Sequence, residues 1–339
     1  MSYIINHVNS VIVVALMPPF STEISQFAPV LPQGLMASAC AANTAARQKT
    51  LRGVAQCSGV GVHSGEKVTL RLLPAEPDTG IVFIRTDLKN GARSIRALWD
   101  NVIDTRLCTV IGNDHGGKVA TIEHLMAALS AAEVDNAIVE VDGPEVPVMD
   151  GSADAFVFLI EMAGVKEQNA LRREIVIIKP VEFSLNGKSV SLTPSDEAQF
   201  SVQIAFDNAL IGTQDHNLTL SRQAFKAQIS RARTFGFLKD VEAMTKVGLM
   251  RGGSLDNAIV IDGDRVMNEG GLRYGDEFVR HKTLDAVGDL ALAGAPIRGH
   301  YKGVLPGHAM NNALLQTLFS DTSAWVMETA DESAFAPAF

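Results

Sequence analysis

The chain has 339 residues, enough for two domains and a sizeable core. Hydrophobic residues make up 47% and charged residues 20%, which excludes a disordered or repetitive chain. The formal charge of −9 argues against nucleic-acid binding, which needs a basic surface. Cys40, Cys57 and Cys108 are odd in number and have no C-x-x-C spacing. They point to a reducing compartment, the cytoplasm, and to neither a disulfide framework nor a thiolate zinc site. No stretch approaches the ~20 apolar residues of a spanning helix.

Residues 1–46 differ in character from the rest of the chain. Val11 to Met17 is apolar, but no Lys or Arg precedes it and Pro18-Pro19 ends it. Ala37-Ser38-Ala39 resembles a cleavage site yet lies far beyond that run, so a secretory signal is not supported. The segment is expected to be a disordered extension, or to precede a native start at Met36.

Folding signals begin near Gln48. Val68 to Leu72 alternates with period two, and Ile81 to Ile84 is a short apolar run between turn residues, so both read as antiparallel strands. Asn90-Gly91 offers a hairpin turn, and Leu107 to Ile111 a further strand. Ser58-Gly59-Val60-Gly61-Val62-His63-Ser64-Gly65 lacks the third fingerprint glycine and no helix follows, so a dinucleotide fold is rejected. Thr121 is expected to cap a helix running to about Glu133, with Ile122, Leu125, Met126 and Leu129 on its apolar face. His124 falls about 200° from Ile122 on that helix, roughly opposite the apolar stripe. Asn136 to Val141 reads as a strand and Ala153 to about Met162 as a helix, and the polar stretch Gly164 to Leu171 as the domain boundary.

In the second half, Glu174 to Ile178, Val181 to Phe183, Ser189 to Thr193 and Phe200 to Phe206 read as strands, with Asn186-Gly187 as a hairpin turn. Helices are expected at about Arg222 to Ile229 and Leu238 to Lys246, and a strand at Ala258 to Ile261. A proline-free helix comes next, from Phe278 to Leu292, stopped by Gly294-Ala295-Pro296. A strand near Ile297 to Val304 and a helix from His308, with Leu314, Leu315 and Leu318 on its apolar face, complete the order. Strands followed by helices, twice, predict an α+β protein of two domains with largely antiparallel sheets, 47–170 and 171–325, and a tail from 326 to 339.

On the helix from Phe278, His281 and Asp285 share one face, and Asp289 extends the polar stripe by a turn. Leu284, Val287 and Ala291 run beside it, and Gly288 and Gly294 allow close approach. With His124 from the earlier helix, His281 and Asp285 make a ligand set of a kind that suits catalytic zinc. The competing reading of the same residues is a solvated i, i+4 pair with His124 merely exposed. Glu123 beside His124 suits a base for a hydrolytic metal site, although Glu in a first helical turn also answers the helix dipole. His308 opens the last helix, where imidazolium is disfavoured, so an acid there needs an anionic neighbour, for which Asp289 is the candidate.

Seven stretches then occur in an order that resembles the UDP-3-O-acyl-N-acetylglucosamine deacetylases, the zinc amidases of lipid A synthesis. They are Ser58 to Gly65, Thr121-Ile122-Glu123-His124-Leu125, Val148 to Ser152, Arg231 to Gly236, Gly252 to Ala258, Arg280 to Asp285 and Gly307-His308-Ala309. The resemblance runs from about Gln48 to about Phe319. It implies that His124, His281 and Asp285 bind zinc, with Glu123 the general base, His308 the general acid and Asp289 its supporting carboxylate. Thr234 matches a hydroxyl that helps stabilise the oxyanion, while Phe235 and Lys282 match substrate contacts.

The resemblance also implies helices packed between two sheets, and an insert in each domain. The second insert, within 237–261, would form an acyl passage lined by Leu238, Val241, Met244, Val247, Leu249 and Met250. The expected partner is the small-molecule substrate alone, and the expected state a monomer. Two imidazoles and a carboxylate also accommodate ferrous iron. Another metal-dependent amidase, and a non-catalytic sugar-nucleotide or acyl-chain binding protein, are the rival readings.

Overall fold

The computed structural model describes residues 46–329 and, as backbone only, the short strands Asn6–Val8 and Val11–Ala15. Val11–Ala15 runs antiparallel to Ala55–Val60, with Val14 opposite Gln56. The other residues assigned to an extension over 1–46 lie outside the described residues.

Helices pack on each of two large sheets. In the first, Ala55–Val60, Lys67–Pro74, Ala137–Val141, Ile81–Arg85 and Ser94–Arg96 lie side by side, with only Ala137–Val141 and Ile81–Arg85 parallel. In the second, Ile297–Val304 is central. It pairs antiparallel with Lys188–Thr193 and parallel with both Ala198–Ala205 and Arg173–Ile177. The alternation of Phe200, Val202 and Ile204 puts their side chains into the core while their neighbours stay outside. This is the α+β architecture with mostly antiparallel sheets that the pattern predicts.

The helices are α1 (Glu123–Ala131), α2 (Asp154–Ala163), α3 (Arg222–Gln228), α4 (Leu238–Lys246), α5 (Glu277–Leu290) and α6 (His308–Ser320). α2 packs on Ala55–Val60, α6 on Val181–Leu185 and Lys188–Thr193, and α5 on Ala198–Ala205 and Thr213–Thr219. α1 lies against α2 on one side and α5 on the other, so side chains from both sheets and from α1, α2, α5 and α6 join one continuous core. Each half also carries a small three-stranded sheet. One consists of Val102–Asp104, Val110–Gly112 and Lys118–Val119, and the other of Phe235–Phe237, Ile259–Asp262 and Arg265–Val266, with α4 beside it.

Three local expectations change and a fourth is extended. Gly164 to Leu171, read as the domain boundary, also carries a strand, Val165–Leu171, paired antiparallel with Arg47–Leu51. None of its side chains is buried, so its composition is polar although its backbone is paired. Trp325–Thr329 pairs antiparallel with Arg173–Ile177, which moves the start of the tail beyond Thr329. Thr121 does not cap α1: its φ is +57° and its hydroxyl donates to the Glu145 carboxylate at 2.9 Å. Asn90-Gly91 opens a short 3₁₀ turn, Asn90–Arg93, rather than a two-residue hairpin.

Candidate active site

The site forms where α1 starts against the middle of α5. A Cβ on Gly288 would stand 2.0 Å from the carbonyl oxygen of Glu123, so only glycine lets these helices approach so closely. The approach brings the first turn of α1 over the polar stripe of α5. That explains why His124, opposite the apolar stripe of its own helix, is only 4% exposed: its face meets α5 instead of water. The solvated-pair alternative fails on the same observation, since His281 and Asp285 are buried too.

His124, His281 and Asp285 offer ligand atoms that all lie within 4.8 Å of one another. Asp285 Oδ1 is 3.7 Å from His124 Nε2 and 3.4 Å from His281 Nε2, separations suited to donors about 2 Å from a shared ion. His281 Nδ1 lies 3.0 Å from the carbonyl oxygen of Ala232, a contact that places the proton on Nδ1 and leaves Nε2 as the free donor atom. Burial holds the His281 imidazole down to about 3 and lowers that of His124, so both rings are neutral, as a metal ligand must be. Burial alone would raise the Asp285 carboxyl, but the positive charges of Lys282 and His308 oppose it and keep the group ionised. Lys282 Nζ donates to Asp285 Oδ2 at 2.8 Å, whereas Asp285 Oδ1 is buried without a hydrogen-bond partner. A buried, unpaired carboxylate oxygen between two neutral imidazoles is costly unless a cation completes it. These residues therefore fit one divalent ion.

A second cluster adjoins the first. His308 opens α6, with Nδ1 2.8 Å from Asp289 Oδ2 and Nε2 3.8 Å from Glu123 Oε1. Burial would depress the His308 imidazolium, but the carboxylates of Asp289 and Glu123 prevail and push it up to about 10. The anionic neighbour that a histidine at a helix start requires is thus present. Glu123 is pushed up to about 7 by burial, with the Asp289 and Asp285 charges adding to the rise and His308 opposing it. An acid and a base with displaced pKa values thus face each other beside a candidate cation site.

The stretch Arg231 to Phe237 closes one side. Glu277, fully buried on α5, accepts from the backbone N–H of Arg233 at 3.0 Å and from its guanidinium at 2.9 and 3.1 Å. That pair holds the segment on α5 and presents the Ala232 carbonyl to His281. Thr234 follows two residues on, half-buried, its backbone bonded to Gly151 and Ile259. The Phe235 ring stands edge-on to His281 at 6.3 Å, with Lys282 Nζ 5.6 Å from its centre. Phe235 and Lys282 thus adjoin the cluster, and Thr234 is the neighbour of Phe235 in the chain. The 237–261 stretch contains α4, none of whose residues is buried, and Val247 just beyond it is 75% exposed. A cavity of about 410 Å³ lies elsewhere, at the far ends of α1 and α5 and lined by Leu129, Leu290 and Arg172.

Sequence reasoning missed several partners. Asn311 Nδ2 donates to Asp289 Oδ2 at 2.8 Å, and Tyr301 donates to Asn311 Oδ1 at 2.6 Å. Thr109 reaches both Glu123 and Asp289. The signal for Asn311 was available, three residues past His308 on one helical face; Thr109, in a loop, had none.

The fold and buried donor set define a metal-dependent hydrolase of α+β architecture. A family model described as UDP-3-O-acyl N-acetylglycosamine deacetylase matches residues 48–320, and the chain belongs to that family. It is 49% identical over 285 residues to the UDP-3-O-acyl-N-acetylglucosamine deacetylase of Phenylobacterium zucineum, covering 84% of this chain and 97% of the relative. It is 50% identical over 281 residues to the protein of that name from Acidithiobacillus ferrooxidans, covering 82% and 92%. With the one from Haemophilus influenzae the identity is 47% over 293 residues, covering 86% and 96%. No helix among the described residues is long and apolar enough to cross a membrane.

Proposed function

We propose that the chain hydrolyses the acetamide of UDP-3-O-acyl-N-acetylglucosamine to acetate and UDP-3-O-acyl-glucosamine, the committed step of lipid A synthesis, with zinc bound by His124, His281 and Asp285. The observation that carries this reading is the facing pair Glu123 and His308 at 3.8 Å, beside a buried carboxylate oxygen that lacks a partner. When bound, the cation supplies Lewis acidity to the acetamide carbonyl and lowers the pKa of a water molecule.

The side chains do the rest. Glu123 takes a proton from the attacking water, and the Thr234 hydroxyl donates to the oxygen that becomes negative. As the C–N bond breaks, His308 delivers a proton from Nε2 to the departing amine. Asp289 holds the other ring nitrogen, fixing the orientation of the imidazolium and favouring its charge. Lys282 and the Phe235 face hold the sugar nucleotide, and the insert at 237–261 takes the acyl chain along Leu238, Val241 and Met244. We read 47–170 and 171–325 as two domains that each supply part of one site. The same reading makes the protein a monomer of the cytoplasm, with ferrous iron as the alternative ion.

The test is release of acetate from the UDP-sugar by purified protein, before and after chelation and after adding back zinc or ferrous iron. Activity is expected to vanish with chelator and return with metal. Unchanged turnover in chelator, or release from acyl peptides and not from the UDP-sugar, would overturn the assignment.

A further inference from the structure

The acid and base sit on different helices, and one buried residue from a loop outside both touches the carboxylate of the base and the carboxylate that supports the acid. Thr109 immediately precedes the strand Val110–Gly112 of the first half's small sheet. Its backbone N–H donates to Glu123 Oε2 at 3.0 Å, and its hydroxyl donates to Asp289 Oδ1 at 2.6 Å. Its carbonyl accepts from the N–H of Ile122 at 3.4 Å, which ties the same loop to the start of α1. Asp289 Oδ2 is already taken by His308 and Asn311, so the Thr109 hydroxyl is the donor to the remaining oxygen. We infer that Thr109 is a positioning residue that fixes the spacing of the acid–base pair, holding Glu123 through its backbone and His308 through Asp289.

The physical ground is the cost of a buried carboxylate oxygen without a donor. Deprived of the hydroxyl, Asp289 recovers a partner only by turning, and His308 Nδ1 turns with it. A displacement of about 1 Å at a reacting group is worth about 100-fold in rate. The inference also gives the first half's small sheet a task, since the strand after Thr109 anchors the loop that carries it. It rests on the reading of Glu123, Asp289 and His308 as acid–base machinery.

The test compares Thr109→Val, which keeps the shape and removes the hydroxyl, with Thr109→Ser, which keeps the hydroxyl. Thr109→Val is expected to lower kcat about 10- to 100-fold with KM and bound metal unchanged, and Thr109→Ser to stay within about threefold of the parent. In an Asp289→Ala background, Thr109→Val should add less than about twofold, because the group it acts through is gone. Equal kcat for the Val and Ser variants, or a full additional loss in the Asp289→Ala background, overturns the inference. If Thr109→Val does not fold, Thr109→Ala measured against Thr109→Ser makes the same comparison. Asp289→Ala with parental kcat would sink the acid–base reading itself. An inactive Asp289→Ala together with a fully active Thr109→Val would sink the Thr109 assignment alone.

Discussion

Two aspartates one turn apart on α5 have opposite surroundings. Asp289 is saturated: Thr109, His308 and Asn311 donate to its two oxygens, and both lie inside the protein. Asp285 is left open. Lys282 occupies one oxygen, and the other is buried between two imidazole nitrogens with no hydrogen-bond partner. Both occupy the same stripe of one helix, and both are buried. What separates them is donor supply: a carboxylate with a full set of donors positions another side chain, whereas one with an empty lone pair among neutral rings is built for a cation.

The sharpest way to break that contrast is to remove each in turn. Asp285→Ala is expected to abolish acetate release and bound metal together, read by elemental analysis of the purified variant. His308→Ala, which acts on the saturated side, should lower kcat by about 10²- to 10⁴-fold while the metal stays at parental stoichiometry. Loss of metal in His308→Ala would make the histidine a ligand and collapse the distinction.

The pH profile sharpens it further. The proposed mechanism requires Glu123 ionised and His308 protonated, and burial and charge respectively push them up to about 7 and about 10. Rate should therefore rise as pH passes the first and fall as it passes the second, and a bound cation moves both limbs downward by repelling protons. A profile that only rises to a plateau would remove the protonated imidazole from the mechanism.

The smallest effect concerns the scaffold. Glu277→Gln breaks a buried pair with Arg233 and is expected to cost about 3 kcal/mol of stability in chemical denaturation. At temperatures where the variant stays folded, metal binding should weaken, because the Ala232 carbonyl that orients His281 rides on the Arg233 segment. Parental stability would show that the pair contributes nothing net.

Much of this was legible without coordinates. The i, i+4 spacing of His281 and Asp285 and the next turn at Asp289 follow from helical geometry, and Leu238–Lys246 and Ile297–Val304 fall where the pattern puts them. Strands with polar side chains were harder to see. Val165–Leu171, with no buried side chain, and Thr213–Thr219, with only His216 and Leu218 buried, pair through their backbones, and composition reports burial, not pairing.

The sequence by itself determined the α+β class, the polar stripe on α5 and the set of candidate groups for the chemistry. Only the tertiary structure decided that His124 is buried rather than solvated, because burial of that face depends on a second helix that Gly288 admits. It alone separated Asp285 from Asp289 and brought Thr109 to both carboxylates. Donor supply at a buried oxygen comes from residues far away along the chain, and no local pattern encodes which of them arrive.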